Sequence, residues 1–501
     1  MSRPRLRYGT ASLAALALGA AAVAAGDFAL AGRDPGPELL RMLRGLLEPD
    51  LRAIDGAALI HTLAFAVLGV GLGGAAGLAL APAFPRLRAV RALAAGLRAV
   101  HELFWALLLM QVFGLGPLTG VLAIALPYAG LFAKVFAEMI EEAAPAARRV
   151  LPPGTGALSA FAYADLPDLR DRFGHYALYR LECGLRSTLV LGFIGLPTAG
   201  FELEASFAAG DFARAAALLL GFYGLVASRR LWARARAAPL LLAGAVWVLP
   251  AGLPGGDAWR NLVRFATGDI VPAPLRGADP AAGAAWGAAL RWLGDILLHQ
   301  ALPGALATLV LAQVALCAAG LLALALFPLL SRRFVGPAGR LFGRVLLVVV
   351  RSTPDYILAY VLLQALGPSM LPAAVALALH NGAVLAYLLG RQADALAYRA
   401  DAPRGLNLYL YEALPRLYGQ FLAFALYRWE IILRESAIFG ILGVATLGFY
   451  VDGAIAELRF DAALVLVLAT AALSLAADAL SRRLRRALRA EPRAETLATE
   501  A

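Results

Sequence analysis

Two stretches of the chain carry one charged pattern inside an apolar setting. Residues 176–201 read YALYRLECGLRSTLVLGFIGLPTAGF and residues 424–449 read FALYRWEIILRESAIFGILGVATLGF. At a shift of 248 residues they are identical at 12 of 26 positions. The matches include Arg180 with Arg428, Glu182 with Glu430, Arg186 with Arg434, and Gly192, Gly195 and Gly200 with Gly440, Gly443 and Gly448. On a helix Glu182 and Arg186 stand four apart, as do Glu430 and Arg434, each in the favourable acid-first order. An unpaired charge in hydrocarbon costs about 2.5–3.5 kcal/mol or more, so these groups must pair or face a bundle interior. Two chemistries fit. The pairs could hold helix packing near the membrane surface, or Arg180 and Arg428 could face a two-fold axis and complement an anion through their guanidinium groups. Glu102 and Asp355 stand early in their apolar stretches, where a carboxylate can cap a helix start or gate a path.

Other chemistries have little support. No GxxxxGK[ST] phosphate loop is present, and Lys134 is the only lysine, so the chain does not bind and hydrolyse ATP in that way. His61, His101, His175, His299 and His380 show no metal-ligand spacing, and Cys183 and Cys317 have no ligand-spaced partner. No catalytic set, metal site or cofactor is expected in the chain.

Apolar residues make up 61% of the 501, charged ones 16%, so this is an integral membrane protein. The net charge of +11 points not to nucleic acid but to topology, because the arginines fall in short runs between apolar stretches. Twelve spans are predicted, near 11–31, 59–81, 99–117, 118–140, 176–199, 212–228, 238–253, 301–329, 345–366, 370–390, 424–447 and 461–480. Basic runs at Arg3–Arg7, Arg86–Arg98, Arg229–Arg236, Arg332–Arg344 and Arg482–Arg489 all share one side if both termini are cytoplasmic. The basic, apolar, small-residue start also suits a cleavable signal peptide, but the second half opens with a comparable span, which favours an uncleaved helix. Six spans per half orient both copies alike, so they can pair about an axis along the membrane normal, as parallel repeats do. The modules are drawn at 1–236 and 237–501, the second with a basic C-terminal tail.

The repeat reaches upstream at a different shift. Arg98-Ala-Val-His-Glu102 aligns with Arg351-Ser-Thr-Pro-Asp355, and Gln111 and Gly114 with Gln364 and Gly367, all 253 apart. The five-residue change of shift falls between about 140 and 165, which marks a loop. Polar interruptions stand there, at about 138–175 and 391–423. The first holds Glu138, Glu141 and Glu142, then Gly154 and Gly156, then Leu166-Pro167. The second holds Arg391 and Asp394, then Gly405, then Leu414-Pro415.

An acidic stretch, a glycine about ten residues on and a following Leu-Pro resemble the coupling loop of ABC-importer permeases. Arg351-Ser-Thr-Pro-Asp355, Gly114-Leu-Gly-Pro-Leu-Thr-Gly-Val-Leu-Ala123, Leu178-Tyr-Arg-Leu-Glu182 and Leu426-Tyr-Arg-Trp-Glu430 resemble motifs of the phosphonate/phosphite type in particular. The likeness covers about 59–236 and 296–489. It implies an all-α polytopic permease in a bacterial inner membrane, with two modules fused in one chain. It further implies cytoplasmic ATPase subunits, two of them, docking on the loops, and an extracytoplasmic solute-binding protein delivering a phosphonate or related oxyanion. The sequence departs from the pattern at His101, where proline is expected, and at Arg391 and Asp394, where acids are; the two loops would then dock unequally. The runners-up are a permease for another small solute and an ion-coupled secondary transporter. The acids near span ends disfavour the second, which needs them mid-span.

Overall fold

A computed structural model describes residues 7–29, 34–143, 150–249, 257–279, 283–399 and 401–488. Among them the regular structure is helical. Sixteen helices matter here. In the first half they are α1 (Tyr8–Ala25), α2 (Gly56–Leu80), α3 (Arg88–Ala99), α4 (Glu102–Phe113), α5 (Pro117–Glu142), α6 (Leu166–Val190), α7 (Ala199–Ala208) and α8 (Phe212–Ala227). In the second they are α9 (Ala238–Val248), α10 (Leu302–Leu326), α11 (Pro337–Ser352), α12 (Asp355–Leu366), α13 (Met370–Ala395), α14 (Leu414–Glu435), α15 (Leu447–Ala456) and α16 (Phe460–Leu488). The two sets correspond one to one. Pro117 and Met370 open α5 and α13 at a separation of 253, Leu166 and Leu414 open α6 and α14 at 248, so the length change lies in the loop between.

Among the described residues seven helices are long and apolar enough to cross a membrane, or up to ten if each bent pair counts as one. The predicted third and ninth spans, 99–117 and 345–366, are not straight: α3 meets α4 at 95° and α11 meets α12 at 93°. At 12 residues, α4 and α12 reach only about 18 Å, short of a ~30 Å hydrocarbon core. The fifth span bends by 53° before α7, α9 has only 11 residues, and the helix expected over 424–447 stops at Glu435.

The chain divides into two compact units, residues 40–269 and residues 1–39 with 270–500. These differ from the sequence modules because α1 and α9 each pack with the other half's helices. In one unit α1 lies on α10: Gln313 Nε2 donates to the Ala15 carbonyl at 2.9 Å, and Ser12 and Tyr418 share a hydrogen bond of 2.7 Å. In the other unit α9 lies on α2, with Leu242 Cδ2 2.8 Å from where a Cβ on Gly71 would stand. Each unit is built round its most buried span, α5 (67% buried) or α13 (78%), against which α2 or α10 packs. Gly69, Gly73 and Gly77 of α2 face Ile124, Tyr128 and Phe132 of α5; the small residues allow that approach.

The repeated glycines make a tight turn in each half. Gly195 (φ +88°) and Gly443 (φ +85°) occupy the left-handed region in the turns before α7 and α15. A Cβ on Gly200 would fall 1.9 Å from the Leu189 carbonyl oxygen, and one on Gly448 1.7 Å from that of Ala437. Gly448→Ala is therefore expected to destabilise by about 1–3 kcal/mol or more, read as a lower thermal midpoint in detergent. Gly453→Ala, in open space on the same helix, should leave the midpoint unchanged.

Candidate functional site

Helix α6 presents Arg180, Glu182 and Arg186, all partly buried. Arg180 Nε donates to the Tyr176 hydroxyl at 2.8 Å, and its guanidinium lies 5.0 and 5.1 Å from the Tyr176 and Tyr179 ring centres. Glu182 is paired with Arg229, in the turn after α8, which ties two elements together. Arg186 Nη2 lies 3.4 Å from Cys183 Sγ. Helix α14 repeats the charges but sets them differently. Arg428 Nε donates to Asn381 Oδ1 at 2.8 Å, while Asn381 Nδ2 donates to the Leu377 carbonyl at 3.0 Å and to Glu435 at 3.3 Å. Asn381 is completely buried in α13. It thus joins a cation and an anion seven residues apart on α14, which share a helix face. Glu430 and Arg434 are partly buried on the same helix.

The sharp bends bring Glu102 and Asp355 to the first residue of α4 and α12. His101, standing where the family pattern has proline, takes an extended backbone (φ −66°, ψ 146°) and accepts from the Leu103 N–H at 3.2 Å, so the substitution keeps both the break and a cap. The Glu102 carboxylate accepts from Ser187 of α6 at 2.6 Å. Asp355 accepts from the Tyr356 N–H at 3.1 Å, and the buried His380 ring nitrogen lies 3.0 Å from the Thr353 carbonyl. Both acids sit at helix starts; Glu102 also reaches α6.

The polar interruptions are largely helical. Helix α5 runs through Glu138, Glu141 and Glu142, and helix resumes at Ala157; residues 144–149 lie outside those described. Lys134 and Glu138 approach to 3.8 Å. Within the second interruption, 391–423, the described chain is non-helical only from Leu396 to Gly405, with residue 400 outside those described. Gly154 (φ +86°) and Gly405 (φ +63°) make the turns. Gly156 directly precedes the helical turn Ala157–Ala160. Asp394 is pinned by the Arg332 N–H at 3.1 Å and Arg340 at 2.9 Å. Tyr398 lies between the Arg333 and Arg416 guanidiniums, and burial pushes its phenol up.

Pro167 and Pro415 have a structural effect that spacing did not disclose. Lacking an N–H, each leaves the carbonyl four residues back without its helical donor. The chain widens there into one π turn, Phe161–Asp165 or Tyr409–Ala413, closed by Leu166 N–H to the Phe161 carbonyl and Leu414 N–H to that of Tyr409.

Sequence reading placed Arg229 in a basic run but not with Glu182, and it missed Asn381 and Glu435, and also Thr62 and Thr308. The two threonines accept from the first N–H of α7 and α15, at 2.9 Å from Ala199 and 3.0 Å from Leu447. A Thr-Leu pair repeated at a shift of 246 was their only signal.

Among curated proteins, the chain is 33% identical over 203 residues to the phosphite transport system permease protein PtxC of Stutzerimonas stutzeri, spanning 38% of this chain and 73% of that one. The chain belongs to the phosphonate/phosphite-type ABC-importer permeases. It is 28% identical over 469 residues, 87% of its length and 86% of the relative's, to the phosphate-import permease protein PhnE of Mycolicibacterium smegmatis. It also matches, at 31% over 121 residues, 97% of a cryptic phosphonate transport permease of Escherichia coli. No family model and no solved structure matches. The protein is a multi-pass membrane permease subunit rather than an enzyme, and permeases of ABC importers work with ATPase and solute-binding partners.

Asn381→Leu is expected to cost about 0.6–1.7 kcal/mol, the range of intramembrane side-chain hydrogen bonds. Thermal unfolding of the purified permease checks it; an unchanged midpoint would remove Asn381 from the packing of α13 on α14.

Proposed function

We propose that this chain forms the membrane channel of an ATP-driven importer for phosphonate or a related phosphorus oxyanion, phosphate included. The observation that carries the reading is a match over nearly the full length of a phosphate-import permease, joined by shorter phosphite permeases that span about one module. Two permease modules are fused in one polypeptide, with the twelve membrane segments in two parallel repeats that the sequence predicts. The protein lies in a bacterial inner membrane with both termini cytoplasmic, as the arginine runs support. An extracytoplasmic binding protein delivers the solute, and two copies of a cytoplasmic ATPase dock on the loops at 138–175 and 391–423. Glu138, Glu141, Glu142, Gly154, Gly156, Pro167, Asp394, Gly405 and Pro415 shape those loops.

Within the channel, Arg180 and Arg428 offer guanidinium groups suited to an oxyanion, and Glu182, Arg186, Glu430 and Arg434 balance the local charge. Glu102 and Asp355 hold the breaks along the path. In vesicles carrying the permease and its ATPase, solute-loaded binding protein should accelerate ATP hydrolysis. No acceleration with phosphonate, phosphite or phosphate would overturn the substrate class. Arg180→Gln and Arg428→Gln should each raise the half-saturating solute concentration for uptake about tenfold, the effect of losing ~1.4 kcal/mol of charge-assisted binding. Glu141→Lys should weaken ATPase capture while the thermal midpoint stays put; equal capture by mutant and parent would remove that role from the first loop.

A further inference from the structure

Two short amphipathic helices stand between spans, Gly36–Leu47 ahead of α2 and Asp257–Arg264 beyond α9. In the first, Leu40, Leu43 and Leu47 recur at helical spacing on one face with Leu46 beside them, and all four are exposed, Leu47 to 71%. The opposite face is seated on the protein. Gly45 is buried, and a Cβ there would stand 2.6 Å from the Phe212 carbonyl carbon; the Arg41 guanidinium lies 5.7 Å from the Phe212 ring centre. Just beyond the helix, the Asp50 N–H donates to the Ala213 carbonyl at 3.2 Å. In the second helix Trp259, Leu262 and Val263 share the exposed face, Trp259 at 71%. Asn261, on the other side, donates to the Val112 carbonyl at 3.4 Å.

These seats place both helices at one rim of the apolar zone. Gly69, Gly73 and Gly77 meet Ile124, Tyr128 and Phe132 in order, so α2 and α5 run in the same direction and begin at the same rim. Asp50 lies just ahead of α2 and Val112 just ahead of α5, while Phe212 opens α8. The arginine runs Arg86–Arg98 and Arg229–Arg236 follow the far ends of α2 and α8. At 12 and 8 residues the two helices measure about 18 and 12 Å, too short to cross a ~30 Å hydrocarbon core. Each divides lengthwise instead, with leucines or Trp259 on one side and Arg41 with Gly45, or Asp257 with Asn261, on the other. That is the pattern of a helix lying in the plane of a membrane surface. Exposed Ile60 of α2 and Leu220 of α8 carry the lipid-facing surface of the spans towards this rim, and the two apolar faces continue it. Tryptophan favours this depth. Arg44, exposed at the edge of the leucine face, can reach a lipid phosphate from there.

We propose that these two faces bind lipid. Leu40, Leu43, Leu46 and Leu47, with Trp259, Leu262 and Val263, lie in the interface of the outer leaflet and moor the stretches between spans to the bilayer. The proposal requires a membrane protein and holds for whichever solute the channel carries.

The test uses the full-length permease in vesicles of phosphatidylethanolamine and phosphatidylglycerol. A fluorophore is placed at Leu43→Cys, at Trp259→Cys and, as an aqueous reference, at Glu48→Cys, with the signal of the parent's own Cys183 and Cys317 subtracted. Nitroxide carried near the lipid headgroup should quench the first two labels about twofold more than the reference, since interfacial helices sink only ~5–10 Å into the headgroup and acyl boundary. Nitroxide at the end of the lipid chain should quench them less, and aqueous iodide should favour the reference. A thermal midpoint equal to the parent's shows that each variant is folded, and Leu47→Cys replaces Leu43→Cys if that variant is not. Iodide reaching either apolar-face label as readily as the reference would overturn the proposal. So would shielding that appears only when the solute-binding protein is added, or a cross-link between two permease chains through Leu43→Cys; these would make the faces protein contacts instead.

Discussion

A helix in hydrocarbon cannot be interrupted unless something else accepts or donates the backbone hydrogen bonds that the interruption frees. Each half of this chain breaks its helices more than once, and several of these breaks are met by a named group. Thr62 and Thr308 take the first N–H of α7 and α15, His101 takes the Leu103 N–H at the bend between α3 and α4, and His380 meets the Thr353 carbonyl at the matching bend. Just before Pro167 and Pro415 the chain widens into a π turn, closed by the Leu166 N–H on the Phe161 carbonyl and the Leu414 N–H on that of Tyr409. These substitutions let a helical membrane protein carry sharp corners, and corners are what a transporter needs at a site and at a lever.

The same physics explains which charges can stay inside. Arg428 is acceptable in the apolar interior of its unit because Asn381 accepts from it and passes the connection on to Glu435. An amide can do this because its two ends have opposite hydrogen-bonding character. In the first half Tyr128 occupies the matching position, and Arg180 is held instead by a tyrosine hydroxyl and two aromatic faces. Fusion of two modules has thus allowed one cationic motif to be supported in two ways, which identical chains in a dimer could not do.

The repeat, the helical class, the break in shift and the family were all legible in the chain. They depend on local rules: apolar length, and charges spaced by one helical turn. Twelve straight spans were not a safe reading, because an apolar run of about 20 residues looks the same whether it crosses directly or bends by 95° at a histidine or proline. The polar stretches at 138–175 and 391–423 read as loops, yet helix covers most of them. Charged residues reduce hydropathy without reducing helical propensity, and hydropathy was the signal used.

By itself the sequence determined that two copies of one helical membrane unit are written in tandem, since identity at costly residues such as Arg180 and Arg428 needs no geometry to be seen. Only the tertiary structure decided the partners. Glu182 meets Arg229 across 47 positions of chain, Asn381 reaches Glu435 over 54, and α1 settles on α10 rather than on its sequence neighbours. The physical reason is that side-chain pairing energies in a membrane are set by which helix faces come within about 3 Å, the reach of a hydrogen bond. Helix packing chooses those faces from shape over the whole interface, and no local spacing encodes that choice.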